Sequence, residues 1–188
     1  MRMLGRFLVT VVALVGISAA AMAQTRIRVG VGGGLAQPMG DFGDGYKMGW
    51  VAAGGIRLEP EGWRLALRAV GSYGQFNAEG NVDASVKPLV LTGGVALPLT
   101  TRGSVVPYVA GGAGFASTKA SATVGNVTVS DTETNFAWNL GGGLTFGRAD
   151  GSGVRFLIEV SWTSIATEGS ATNYVPVLAI ISIPLGSR

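Results

Sequence analysis

The 188-residue chain contains no cysteine, no histidine and only three lysines, Lys47, Lys87 and Lys119. Without cysteine there is no disulfide and no thiolate metal site. A small exported domain of this composition must be held by something else, such as a closed network of backbone hydrogen bonds. Without histidine the chain lacks the side chain that most often serves as general base and transition-metal ligand. Hydrolases that pair a nucleophile with histidine are therefore excluded. Three lysines are few for a soluble surface. Also missing are a run of ~18 apolar residues, as a helical membrane span requires, and the Lys/Arg cluster of a nucleic-acid-binding face.

The N-terminus carries a signal of its own. Arg2 and Arg6 make a basic start, Phe7–Ala20 is apolar, and Ala21-Met22-Ala23 is a small-x-small triplet. This is the layout of a secretory signal peptide, and its apolar core is shorter than the ~20 residues of a spanning helix. The sequence predicts a cleaved signal peptide at 1–23 and one domain at 24–188. Removing Arg2 and Arg6 from the 14 basic residues leaves 12 against 11 acidic, so the net charge of +3 falls to +1.

The remaining chain reads as eight runs closed by turn residues: Arg26–Gln37, Met48–Leu58, Trp63–Gln75, Pro88–Leu97, Val105–Ser117, Asn135–Arg148, Val154–Ile165 and Tyr174–Leu185. Several alternate with a period of two. Trp63, Leu65, Leu67, Ala69 and Tyr73 share one face, opposite Arg64, Ala66, Arg68 and Ser72. Val154, Phe156, Ile158, Val160 and Trp162 oppose Arg155, Leu157, Glu159, Ser161 and Thr163. Such alternation makes strands with two chemically different faces. The fold class expected is all-β, an eight-stranded antiparallel up-and-down transmembrane β-barrel.

Three patterns favour a membrane barrel over a soluble one. The connections alternate long and short: Met39–Lys47, Phe76–Lys87, Thr118–Thr134 and Ala166–Asn173 against Glu59–Gly62, Pro98–Ser104 and Ala149–Gly153. Outer-membrane barrels pair long extracellular loops with short periplasmic turns. Aromatic residues gather at strand ends, with Trp50, Tyr73, Phe136, Trp138, Trp162 and Tyr174 beside the long loops and Trp63, Tyr108 and Phe146 beside the short turns. Two aromatic girdles around an aliphatic band suit the headgroup regions of a bilayer. Mid-strand glycines such as Gly32–Gly34, Gly93–Gly94, Gly111–Gly112 and Gly141–Gly143 weaken isolated strands but leave lumen space and permit coiling in a narrow barrel.

The candidate site is polar and inward. Arg64, Arg68, Arg155 and Glu159 share the inward parity, with Arg28 and Arg57 as further members. They form either a constriction that selects small anions or a salt-bridge network that plugs the lumen. The plug is favoured, because eight strands leave an interior just wide enough for side chains. Arginines outnumber the inward carboxylates, which implies water or a further carboxylate such as Glu59. The other motifs are weak. Gly30–Gly34 lies inside a strand and lacks the strand–turn–helix context of a dinucleotide site. Asp41 and Asp44 fall short of a calcium site's ligand count, and Asn126-Val127-Thr128 has only the form of a glycosylation acceptor.

One resemblance spans residues 26–185. Gly33-Gly34-Leu35-Ala36-Gln37-Pro38-Met39-Gly40-Asp41-Phe42, then Tyr46 and Gly49, resembles the first strand and loop of the OmpA/OmpX-like outer-membrane β-barrel domain family. Val106-Pro107-Tyr108-Val109-x-Gly111-Gly112 and Phe136-x-Trp138-x-Leu140-Gly141-Gly142-Gly143 resemble its fifth and sixth strands, and Tyr174-Val175-Pro176-Val177 its last. Such barrels commonly end on an aromatic residue, whereas this chain ends Ile183-Pro184-Leu185-Gly186-Ser187-Arg188. The resemblance implies a non-enzymatic protein of the outer membrane of a Gram-negative-type bacterium. Strands, loops and residue types together predict a monomer with a structural or surface-interaction role, without cofactor or metal, in contact with outer-membrane lipid and with an extracellular partner through its long loops. A narrow solute channel and a soluble exported ligand-binding barrel are the alternatives.

Overall fold

The computed structural model describes residues 25–80, 83–100, 102–124, 127–147, 153–167 and 170–185. The expected signal peptide at 1–23, Asn126 of the acceptor motif and the last three residues lie outside them. Eight strands follow in order: β1 (Thr25–Met39), β2 (Gly49–Pro60), β3 (Ala66–Asn77), β4 (Asp83–Pro98), β5 (Val105–Val124), β6 (Val127–Phe146), β7 (Arg155–Thr167) and β8 (Ser170–Leu185). A short helix, α1 (Asp41–Gly45), sits between β1 and β2. Each strand pairs antiparallel with its neighbours, and β1 pairs with β8 to close the barrel. Within the barrel, closure gives every strand a partner on both sides, which substitutes for disulfides and which lipid demands.

The two faces divide as the alternation predicts. Val31, Leu35, Ile56, Leu67, Leu91, Leu140, Phe156 and Ile158 are exposed on the outside, while Val51, Ala66, Ala110, Leu157 and Glu159 are buried inside. An apolar outside and a partly polar inside are the reverse of a soluble barrel, and they position the lumen as the site. Small residues let neighbouring backbones approach inside. A Cβ on Gly94 would lie 2.6 Å from the Cα of its cross-strand partner Gly112.

The loop lengths differ from expectation. Of the four long connections, the first contains α1 and the second keeps a bend and a turn at Glu79 and Gly80. The segments 118–134 and 166–173 are mostly strand, β4 starts at Asp83 rather than Pro88, and β3 starts at Ala66 rather than Trp63. Thr, Ser and Val suit extended pairing, so the described residues of these segments continue the ladder past the barrel. Asp83–Lys87, Lys119–Thr123 and Thr128–Thr132 thus pair as a three-stranded sheet rising from the loop end. Among the described residues, β7 joins β6 only from Ala137 onward. Val127–Thr134 is exposed throughout.

The aromatic assignment also needs correction. Trp50, Tyr73, Trp138 and Trp162 are exposed outward, Trp63 is exposed in the turn before β3, and Phe146 is half-buried. Tyr108 and Tyr174 instead turn inward, 3% and 2% exposed. The reason is parity. Tyr108 aligns with buried Ala110 and Ala116, and Tyr174 with buried Leu178, while Val109 and Val177 take the outer face. Both faces of these strands are apolar, so hydrophobicity alone did not reveal which one points out.

Candidate functional site

The lumen holds two layers of different chemistry. Nearer the turn end, Arg28, Arg57 and Arg68 form a row, because Arg28 pairs with Arg57 across β1–β2 and Arg57 with Arg68 across β2–β3. Like charges directly opposite on neighbouring strands repel, so each guanidinium needs its own compensation. Arg68 reaches across the barrel to β7. Its Nη1 donates to Glu159 Oε2 and its Nη2 to Glu159 Oε1, each at 2.9 Å. This bidentate pairing is the strong geometry for a guanidinium and a carboxylate.

Tyr108, on β5, completes the carboxylate's shell by donating its hydroxyl to Glu159 Oε2 at 2.7 Å. Glu159 itself is only 7% exposed. Its backbone faces Gly143, where a Cβ would come within 3.0 Å of the Glu159 Cα. The same ring of Tyr108 lies 5.7 Å from the Arg57 guanidinium carbon, a cation–π arrangement.

Arg57 Nε lies 3.2 Å from Glu59 Oε1, although the N–H is not aligned for a hydrogen bond. Arg155 Nη1 donates to the same Glu59 oxygen at 2.9 Å. Arg28 is 1% exposed and donates to the Gly153 carbonyl at 2.7 Å, the Ser182 carbonyl at 3.2 Å and Ser182 Oγ at 3.3 Å. Backbone carbonyls therefore offset much of the cost of burying that cation.

The structure thus brings Arg68 and Glu159 together, joins Arg155 to Glu59 rather than to Glu159, and leaves Arg64 aside. Arg64 lies in the turn before β3, is exposed, and lines a cavity of about 210 Å³ at the turn-end mouth with Arg57, Glu59, Tyr108 and Arg155. A second cavity of about 110 Å³ lies deeper, lined by Arg28, Arg57, Arg68, Tyr108 and Glu159 among others. Tyr108 is the member that sequence reading missed. The small residues Ala110, Gly112, Gly114 and Ala116, sharing its parity, were the signal for it.

The second layer fills the loop end with aromatics. α1 lowers Phe42 into the mouth, where it packs 4.7 Å from Tyr46 and 5.1 Å from Phe76 by ring centroids. Phe76 in turn lies 5.2 Å from Tyr174. With Val51, Val86, Val90 and Ile165 they form one buried cluster. Asp41 and Asp44 sit in the helix's only turn, and no group of three or more metal-binding side chains gathers among the described residues.

A closed antiparallel barrel with an apolar outside and a charged inside defines a transmembrane β-barrel. The family model described as outer membrane protein beta-barrel domain matches residues 9–175. The chain belongs to that family, and the protein is one of the bacterial outer membrane. Among solved structures it is similar to Neisserial surface protein A (NspA), with a TM-score of 0.62 at 12% identity, covering 84% of this chain and 96% of that one. It is also similar to Ail, the attachment invasion locus protein of Yersinia pestis, with a TM-score of 0.51 at 18% identity, covering 85% and 99%. By sequence, no curated protein matches the chain. Both barrel termini lie at the turn end, opposite the loop end.

Proposed function

We propose that the protein is a non-catalytic, non-conducting surface barrel that presents its β4–β6 sheet outside the cell to an extended segment of a partner. The observation that carries this reading is the open edge of β6 beyond the barrel, where, among the described residues, β7 pairs only from Ala137 onward. A strand edge with unpaired N–H and C=O groups is a template for a further strand. The lumen supports the same reading. The Arg68–Glu159–Tyr108 cluster and the Phe42–Phe76–Tyr174 cluster act as two plugs in series, so the barrel serves as an anchor. The name of the Yersinia relative, an attachment invasion locus protein, accords with a surface role.

The test is a shortened hairpin. Replacing Ala120–Asp131 with an Asn-Gly turn closes the ladder at the Lys119–Thr132 pair, since two-residue Asn-Gly turns suit hairpins. The barrel should keep its heat-modifiable gel mobility and lose binding to peptides selected from a random library on the intact protein. Unchanged peptide binding would overturn the partner site. Steady single-channel currents from the intact protein in planar bilayers would replace the plug reading with the channel reading. That second reading rests on the two cavities, which meet at Arg57 and Tyr108.

A further inference from the structure

Two of the chain's three lysines stand directly opposite each other, Lys87 on β4 and Lys119 on β5. Both project outward. Their inward neighbours Val86 and Pro88 are buried, and the outward parity continues through exposed Leu89, Leu91 and Phe115. Opposed side chains of an antiparallel pair have Cβ atoms only ~5 Å apart, and like charges there destabilise the pairing. Among the described residues neither lysine has an ion pair. Lys119 faces uncharged Thr132 on its other side. Along β4 the next acidic residue of the outward face is Asp83, at the tip of the strand. Asp131 and Glu133 fall on the opposite parity from Thr132.

The height of the pair is as informative as its charge. One cross-strand row below, two residues or ~7 Å along the strand, Tyr73 pairs with Leu89. Tyr73 packs 5.7 Å from Trp50, and such rings favour the bilayer interface. Two rows below, Phe115 pairs with Phe136, and the two are 66% and 51% exposed. The lysines therefore sit just above the interfacial aromatics of the outer rim, at headgroup level, over an apolar floor suited to acyl chains.

We propose that Lys87 and Lys119 bind the phosphomonoester of a glycolipid headgroup in the outer leaflet, a lipid of the lipid A type. A phosphomonoester carries ~1.5–2 negative charges at neutral pH, which matches two ammonium groups. A glycerophospholipid phosphodiester carries one negative charge and leaves the pair half-neutralised. Phosphate held between the lysines converts their mutual repulsion into two charge-assisted contacts.

The test uses the full chain, purified from outer membranes, delipidated in neutral detergent and examined by native mass spectrometry. The probes are diphosphoryl lipid A, phosphatidylglycerol and phosphatidylcholine. The intact protein should retain lipid A about tenfold better than phosphatidylglycerol, a step worth ~1.4 kcal/mol. K87Q/K119Q should lose that preference and K87R/K119R should keep it. The glutamine variant removes a repulsion, so its gel mobility should report a folded barrel. Equal retention of lipid A and phosphatidylglycerol by the intact protein overturns the proposal without any variant, showing general attraction of anions. A lipid A preference that survives K87Q/K119Q overturns it by placing the site elsewhere.

Discussion

Glu159→Ala removes the carboxylate on which Arg68 and Tyr108 converge. In the intact lumen that carboxylate accepts two guanidinium hydrogen bonds at 2.9 Å and one phenol hydrogen bond at 2.7 Å. Removing one partner of a buried ion pair typically costs ~3–5 kcal/mol, because the survivor stays buried and uncompensated. The orphaned Tyr108 hydroxyl adds part of the ~1–3 kcal/mol charged to an unsatisfied donor. Against this, the Arg68 side chain is 15% exposed, and the adjoining cavity admits water to it. The expected net loss is about 3–5 kcal/mol.

Glu159→Gln keeps one acceptor but not the charge, and should lose about half as much. The pairing makes a sharper claim than the magnitude. In the Glu159→Ala background, Arg68→Met should restore part of the stability, and Arg155→Met should not, since Arg155 is held by Glu59. The assay is urea unfolding in lipid vesicles, read by tryptophan fluorescence and gel mobility, arranged as double-mutant cycles. Stability unchanged in Glu159→Ala, with a steady conductance appearing, would refute the plug. Rescue by Arg155→Met would refute the assigned pair.

Other outcomes are expected from the same architecture. Ile158→Arg places a charge on the lipid face of β7 and should cost about 2–4 kcal/mol. Thr123→Arg, near the hairpin tip where Thr123 shares an exposed hydrogen bond with Thr128, should stay within about 0.5 kcal/mol; equal costs in vesicle refolding would mean that the faces are reversed. Phe42→Ala should release α1 from the mouth, and limited trypsin digestion should then cut after Lys47 faster than in the parent, with the barrel still folded. Intact-mass measurement of the purified protein should give an N-terminus at Gln24; retention of Phe7–Ala20 would remove the signal-peptide assignment.

Much of this molecule was legible in the sequence because the physics of a barrel strand is periodic. Where one face is apolar and the other polar, as in Val154–Thr163, every inward and outward residue followed from parity alone, and Glu159 was placed correctly. Where both faces are apolar, as around Tyr108 and Tyr174, parity had to come from neighbouring small residues, and aromatic preference for the rims pointed the wrong way. Strand ends were less legible. Ser and Thr in 118–134 serve turns and extended ladders equally well, and only the pairing partner decides between them. Across the lumen the sequence was silent. Arg64, Arg68 and Arg155 share a parity, but which one meets Glu159 depends on the stagger between β3 and β7. Glu59 emerged as Arg155's partner because their strands reach the same rim.

The β1–β8 seam, with Ile27 opposite Leu185, has a consequence for assembly. The first strand to emerge during synthesis must wait for the last before either can saturate its outer edge. Loop closure across nearly the whole chain is the slowest kind of contact to form, and two open edges persist until it does. Any productive route must therefore keep the chain from self-association across the whole interval between export and closure. The same seam brings the two ends of the barrel side by side. A permuted chain that joins them by a short linker and opens at the β2–β3 turn would keep every strand pair while changing which one closes last.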